Sequence, residues 1–124
     1  MNGSTQDARD FLPLTPAVFH ILLALSEGDK HGYAVIVDVR ERTAGEVKLG
    51  TGTLYTAIKR LLERGLIRDT DVPAGEADDN EERRRYYTLT ELGQAVVQAE
   101  AERLERLVGI ARERSLLPAG SRRD

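Results

Sequence analysis

The chain contains no cysteine and no tryptophan, and aromatic residues make up only 5% of its 124 positions. Without thiols there is no disulfide framework, no thiolate metal site and no cysteine redox sensor. Few aromatics beside 31% charged residues favour a mostly helical protein over a β-sandwich. No basic flank followed by an apolar run opens the chain, and no apolar stretch matches a bilayer in length, so the expected location is cytoplasmic. The two histidines, His20 and His31, have no thiols or closely spaced carboxylates to join them and read as structural, not as metal ligands. Enzymatic signatures are missing too. Gly50-Thr51-Gly52 lacks the further glycine and the preceding strand of a dinucleotide fingerprint. The acidic run between residues 76 and 82 lacks the alternating ligands and glycine of a calcium loop. No nucleophile–base pair stands out, so neither catalytic residues nor a cofactor is expected.

What is present is charge sorted along one domain-sized chain. The net charge of −3 argues weakly against a phosphate-binding protein, since phosphates favour basic surfaces. Its distribution argues the other way. Between Glu46 and Arg68 stand Lys48, Lys59, Arg60, Arg64 and Arg68 against Glu46 and Glu63, a local balance of +3. The acidity gathers from Asp69 to Glu82.

Residues Met1 to Asp10 are polar and aperiodic, which predicts a mobile arm. Thr15-Pro16 offers a hydroxyl N-cap and a proline at the first helical position. Val18, Ile21, Leu22 and Leu25 follow as one apolar stripe, predicting a helix from Pro16 to Ser26 that Gly28 stops. A second helix is expected from Gly32 to Arg42, with Tyr33, Ile36, Val37 and Arg40 in register and Gly45 beyond its end. On this helix Asp38 and Glu41 read as solvated.

The stretch Leu49 to Gly65 organises the rest. At a helical period Leu54, Ile58 and Leu61 share one face with Leu62 at its margin, while Gly52, Thr56, Lys59, Arg60 and Glu63 fall opposite. An apolar back with a front of small hydroxyls and basic groups suits a helix lying in a DNA groove. Small residues let the backbone approach base edges, and Lys59 and Arg60 reach phosphates one to two turns later. Gly65 is placed to close the helix in the left-handed region. The competing explanation is an ordinary surface helix, with Thr51 and its neighbours engaged only in capping and turn chemistry. Three short helices with glycine-marked turns form the core expected of helix-turn-helix proteins.

After Gly65 the pattern becomes extended. Residues 66–70 and 83–89, the latter with Tyr86, Tyr87 and Thr88, predict a β-hairpin whose tip, Val72 to Glu82, holds Pro73, Gly75 and five acids. A hairpin directly behind a recognition helix is a wing. Thr90 then caps a long helix that runs to about Ser115. Its residues Val97, Ala101, Leu104, Val108 and Ala111 step by alternating fours and threes, a heptad-like seam that Val96, Leu107 and Ile110 widen. So long an amphipathic helix exceeds what a small core can cover, and a second copy of itself is the simplest partner. Pro118 to Asp124 reads as a frayed tail.

Taken together, these pieces resemble the PadR-like transcriptional regulators, in particular the short subgroup with a single C-terminal helix. The resemblance rests on His31-Gly32-Tyr33, on Gly52-Thr53-Leu54-Tyr55, and on the run from Leu61 to Ile67. The wing exit, Arg83-Arg84-Arg85-Tyr86-Tyr87-Thr88-Leu89-Thr90-Glu91-Leu92-Gly93, matches as well. It spans about Leu14 to Ile110. It implies a homodimeric winged-helix repressor, paired through the C-terminal helix with help from the N-terminal segment. It also implies an inverted-repeat operator and release by a small molecule or another signal. Two departures stand out. Thr56 occupies the place where the family usually has proline, and the wing tip is unusually acidic, which shifts expected phosphate or minor-groove contacts to Arg83, Arg84 and Arg85.

The expected architecture is mainly α with a small β-hairpin: an arm (1–10), a winged helix-turn-helix (11–89), a dimerisation helix (90–115) and a tail (116–124). Double-stranded DNA is the expected partner, met by Thr51, Gly52, Thr53, Tyr55, Thr56, Lys59, Arg60, Tyr33 and Arg83 to Arg85. Tyr33 is expected to pack under its helix, either with its hydroxyl near the DNA backbone or in a core role alone. Tyr55 reads equally as a half-buried support and as a direct contact. Val96, Val97, Ala101, Leu104, Leu107, Val108 and Ala111 are expected to pair two chains. A small effector would sit between the C-terminal helices and the core. The alternative is a winged helix that docks on a protein instead of DNA; Lys59 and Arg60 over small residues favour DNA, where exposed leucines would have favoured protein.

Overall fold

A computed structural model describes residues 7–70 and 85–119. Four helices surround a small antiparallel sheet: α1 (Pro16–Ser26), β1 (Lys30–His31), α2 (Gly32–Arg42), α3 (Thr51–Glu63), β2 (Ile67–Thr70), β3 (Tyr86–Leu89) and α4 (Glu91–Glu113). The mostly helical winged-helix architecture expected from the sequence is the one observed.

Helix α1 begins as its sequence dictates. The Thr15 hydroxyl accepts the Val18 N–H at 3.2 Å, and Pro16 fills the first turn. Ile21, Leu22, Ala24 and Leu25 are buried. Helix α2 has the expected ends but a different inward face. Gly32, Val35 and Val39 are buried, and Tyr33 stands half exposed, at 50%. The expectation that Tyr33 packs under its helix is therefore corrected. The reason lies at Gly32, where a Cβ would collide with the Tyr55 hydroxyl, so this helix face must turn inward against α3.

Strand β1 was not expected. Two residues carry no alternation to read, and the sequence places His31 at the start of a helix. It serves both elements: Lys30 pairs with Tyr87 and His31 with Tyr86, while His31 Nδ1 accepts the Ala34 N–H at 3.0 Å as the cap of α2. The His31 ring also meets Tyr86 edge-on, with centroids 5.3 Å apart. The strand order is β1-β3-β2, with Ile67 opposite Leu89 and Thr70 opposite Tyr86. The hairpin thus exists where expected. Its tip, Val72 to Glu82, lies outside the described residues, as do Arg83, Arg84, residues 1–6 and residues 120–124.

The arm expected over residues 1–10 is corrected in its last part. Ala8–Phe11 form a 3-10 turn capped by Asp7, and Phe11 is buried. The turn packs against α4, whose Glu100 carboxylate accepts the Leu14 N–H at 3.0 Å.

Helix α4 starts on Thr90, whose hydroxyl accepts the Gly93 N–H at 3.0 Å and donates to the Gly65 carbonyl at 2.6 Å. Gly65 itself closes the α3 turn at φ +78°, a conformation that glycine adopts at least cost. Gly93 lies so close to β2 that a Cβ would strike the Leu66 carbonyl oxygen. Farther along, α4 changes character. Val96 and Val97 are 0% and 4% exposed inside their own chain, so their expected place in an interchain seam is corrected: they belong to the protomer's core. Heptad spacing alone cannot tell one's own core from a partner's. Beyond Glu100 the apolar residues emerge, Leu107 at 49%, Val108 at 39% and Ile110 at 47% exposure.

Candidate nucleic-acid interface

The back of α3 is closed by Leu54, Ile58 and Leu61, between 0% and 4% exposed. At the helical repeat this fixes the front, and Thr51, Gly52, Thr53, Thr56, Lys59 and Arg60 are all exposed on it. Gly50, not Thr51, is the N-cap, and no side chain caps the helix. The first-turn N–H groups are left for an outside acceptor, in the position where helix ends attract phosphate. A Cβ at Gly52 would meet nothing within 4 Å, so packing inside the chain does not demand glycine there. Among the described residues, neither Lys59 nor Arg60 pairs with a carboxylate.

Tyr55 belongs behind this front. It is partly buried, its ring end rests against Gly32, and it lies near enough to Tyr87 to help hold that hydroxyl's pKa up, an effect led by burial. Tyr55 therefore joins α2 to α3 at Gly32, and the next residue, Tyr33, stands exposed. On the wing, Arg85 is exposed at the base of β3 and hydrogen-bonds Tyr87. The α3 front and Arg85 at the start of β3 are thus each exposed, and Tyr55 ties the α2 N-terminus to α3.

Sequence reading missed the buried Glu100, the cap and ring contact of His31, and the Arg64 guanidinium lying 4.4 Å over the Phe11 ring. His20 is partly buried, and Arg42 Nη2 donates to its carbonyl at 3.3 Å. Asp38, expected to be solvated, instead pairs with Arg42 at 2.9 Å. No group of three metal-ligating side chains occurs among the described residues, and no helix there is long and apolar enough to cross a membrane.

A helix-turn-helix with a wing and an uncapped, small-residue recognition helix defines a class of nucleic-acid-associated regulators. Residues 21–99 match the Transcriptional regulator PadR-like family. The chain belongs to that family, whose members are regulators of transcription and not enzymes. It is similar to an uncharacterised 37.1 kDa protein of a Streptomyces fradiae transposon, 34% identical over 72% of this chain but only 23% of that protein. The chain thus spans about a quarter of that relative's length. A PadR family transcription regulator from Clostridium difficile superimposes with a TM-score of 0.62 at 27% identity, over 77% of this chain and 94% of the other. Bacillus subtilis PadR, solved in complex with operator DNA, shares the fold with a TM-score of 0.56 at 22% identity, over 73% and 47% of the two chains.

Proposed function

We propose that the protein binds double-stranded DNA as a homodimer and represses transcription from a pseudo-palindromic operator. One observation carries this reading: the front of α3 is small, hydroxylated and basic, with an uncapped N-terminus, above a wholly buried back. Thr51, Gly52, Thr53 and Thr56 meet base edges and nearby phosphates, while Lys59 and Arg60 anchor the backbone on either side. Tyr33, Arg83, Arg84 and Arg85 add backbone or minor-groove contacts. The operator complex of the Bacillus subtilis relative supports this placement by likeness of fold.

Pairing falls to the exposed half of α4: Ala101, Leu104, Leu107, Val108 and Ala111. A two-fold pair presents its recognition helices to successive major grooves about 34 Å apart. Occlusion of a promoter follows from such a footprint without an activation surface. A small effector that favours one dimer geometry over another releases the operator by differential affinity alone. This reading places the protein in the cytoplasm with the chromosome.

The test is retention on random duplex DNA at low salt, then selection of bound genomic fragments and salt titration on the best of them. The wild type is expected to lose affinity steeply with salt, and Lys59→Ala to lower the slope by about one unit. Failure to bind any duplex at low salt contradicts the reading and favours a protein partner.

A further inference from the structure

Glu100 is a buried charged residue, 2% exposed, on a helix whose other inward positions are apolar or glycine. An uncompensated carboxylate there would be costly. This one is compensated from two sides. Arg103 donates through Nε to Oε1 at 2.6 Å and through Nη2 to Oε2 at 3.0 Å, and the Leu14 N–H donates to Oε2 at 3.0 Å. Filling space would not require such a group, because apolar residues of like volume often serve a buried ion pair's site as well or better. What a carboxylate adds is a fixed register between two segments.

Those segments are α4 and the strap that runs from Ala8 to Leu14, immediately before the N-cap of α1. At its middle the strap delivers Phe11, 7% exposed, beneath the guanidinium of Arg64, the C-cap of α3. A groove of about 560 Å³ lies between the strap, through Phe11, Pro13 and Leu14, and the length of α3 from Gly52 to Arg64. The strap is thus held to α4 at Leu14 and meets α3 at Phe11, with open space beside both contacts. Glu100 is also the last fully buried residue of α4, at the point where the helix leaves its own core. From there to Glu113 the helix extends a further ~20 Å at ~1.5 Å per residue, so a small change of angle at the clasp is magnified at the far end.

We infer that Glu100 is a positioning residue: through Leu14, Phe11 and Arg64 its clasp sets the angle between α4 and the recognition helix α3. Resting on the homodimer proposed above, the same clasp sets the separation of the two recognition helices and so the half-site spacing that the pair accepts.

Two readouts test this on the full chain, both with Glu100→Gln and Glu100→Met and at a temperature where circular dichroism shows the variant folded. The first is independent of DNA and of pairing. Since the sequence has no cysteine, spin labels at Glu63→Cys and Glu105→Cys report a single intrachain distance when labelled protein is diluted into unlabelled. The expected result is a shifted or broadened distance in the Glu100 variants, and an unchanged distribution overturns the inference. The second compares a selected two-half-site duplex with a single half-site. A loss of about tenfold or more on the first, with the second unchanged, is expected. Equal losses on both, or none, overturn the role in spacing. If the wild type itself fails to prefer two half-sites, the homodimer reading fails, and the label distances alone decide the clasp. Should Glu100→Met not fold, Arg64→Met, which keeps volume over Phe11 and removes the cation, takes its place with the same expected shift.

Discussion

Helices α3 and α4 are both amphipathic, yet they finish differently. In α3 the apolar stripe ends with the protomer's own needs: Leu54, Ile58 and Leu61 are buried, and the opposite side offers threonines, a glycine and two basic residues to solvent. In α4 only the first half is used this way. Val96, Val97 and Glu100 are buried, then Leu107, Val108 and Ile110 stand roughly half exposed along a helix about 34 Å long. A polar, basic face is stable in water and awaits an anion. An apolar face of that length is not, and calls for another apolar face. In the function proposed above, the two helices take partners of opposite chemistry, DNA for one and a second chain for the other.

The sharpest way to break this contrast is to make one substitution in both helices. Leu54→Ala opens a cavity in the core and is expected to lower folding stability by about 2–5 kcal/mol at any protein concentration. Leu107→Ala removes a half-exposed side chain and is expected to leave an isolated protomer nearly as stable. Its cost appears instead as a lower melting temperature that depends on protein concentration, as dimer linkage requires. Thermal melts across a dilution series separate the two, and matching, concentration-independent losses would erase the distinction.

Next in size is Gly93→Ala. Its methyl would strike the Leu66 carbonyl oxygen, a backbone atom that cannot rotate away, so a loss of about 1–3 kcal/mol in urea unfolding is expected. Gly52→Ala, with open space around it, is expected to leave unfolding unchanged and to weaken DNA binding alone. If Gly52→Ala proved the more destabilising of the two, the division between inner and outer faces would be wrong.

The pH dependence is smaller and has a definite sign. The Arg103 guanidinium, followed by the Leu14 N–H, holds the Glu100 carboxyl below its ordinary 4.5. A lowered carboxylate pKa stabilises the fold above 4.5 and loses that contribution as pH falls through the lower folded value. The stability difference between wild type and Glu100→Gln should therefore shrink on acidification past that point, as urea midpoints would record. His20 is held below its ordinary 6.5 by burial and then by Arg42, so protonation opposes folding there. His20→Gln should slightly flatten the stability loss below pH 6.5.

Much of this was legible in the sequence because the signals were local. Thr15-Pro16, Thr90 and Gly65 mark element ends by their own chemistry, and the 3.6-residue spacing of Leu54, Ile58 and Leu61 defines the inner face of α3 without further knowledge. What could not be read depends on remote partners. Glu100 resembles Glu102 and Glu105 along the chain, and only the arrival of Leu14, 86 residues earlier, makes it an inward carboxylate. The inward face of α2 turns on the fit of Gly32 against Tyr55, which no periodicity encodes. Strand β1 is two residues long and exists because β3 has a free edge to pair.

The most direct measurement is a hydroxyl-radical footprint on a selected genomic fragment at a protein concentration where sedimentation gives the dimer mass. Two protected patches on one side of the duplex, about one helical turn apart, are the predicted result. A single protected patch, or a selected site with no repeated half, would contradict the claim that the exposed half of α4 pairs two chains so that their α3 fronts read one operator.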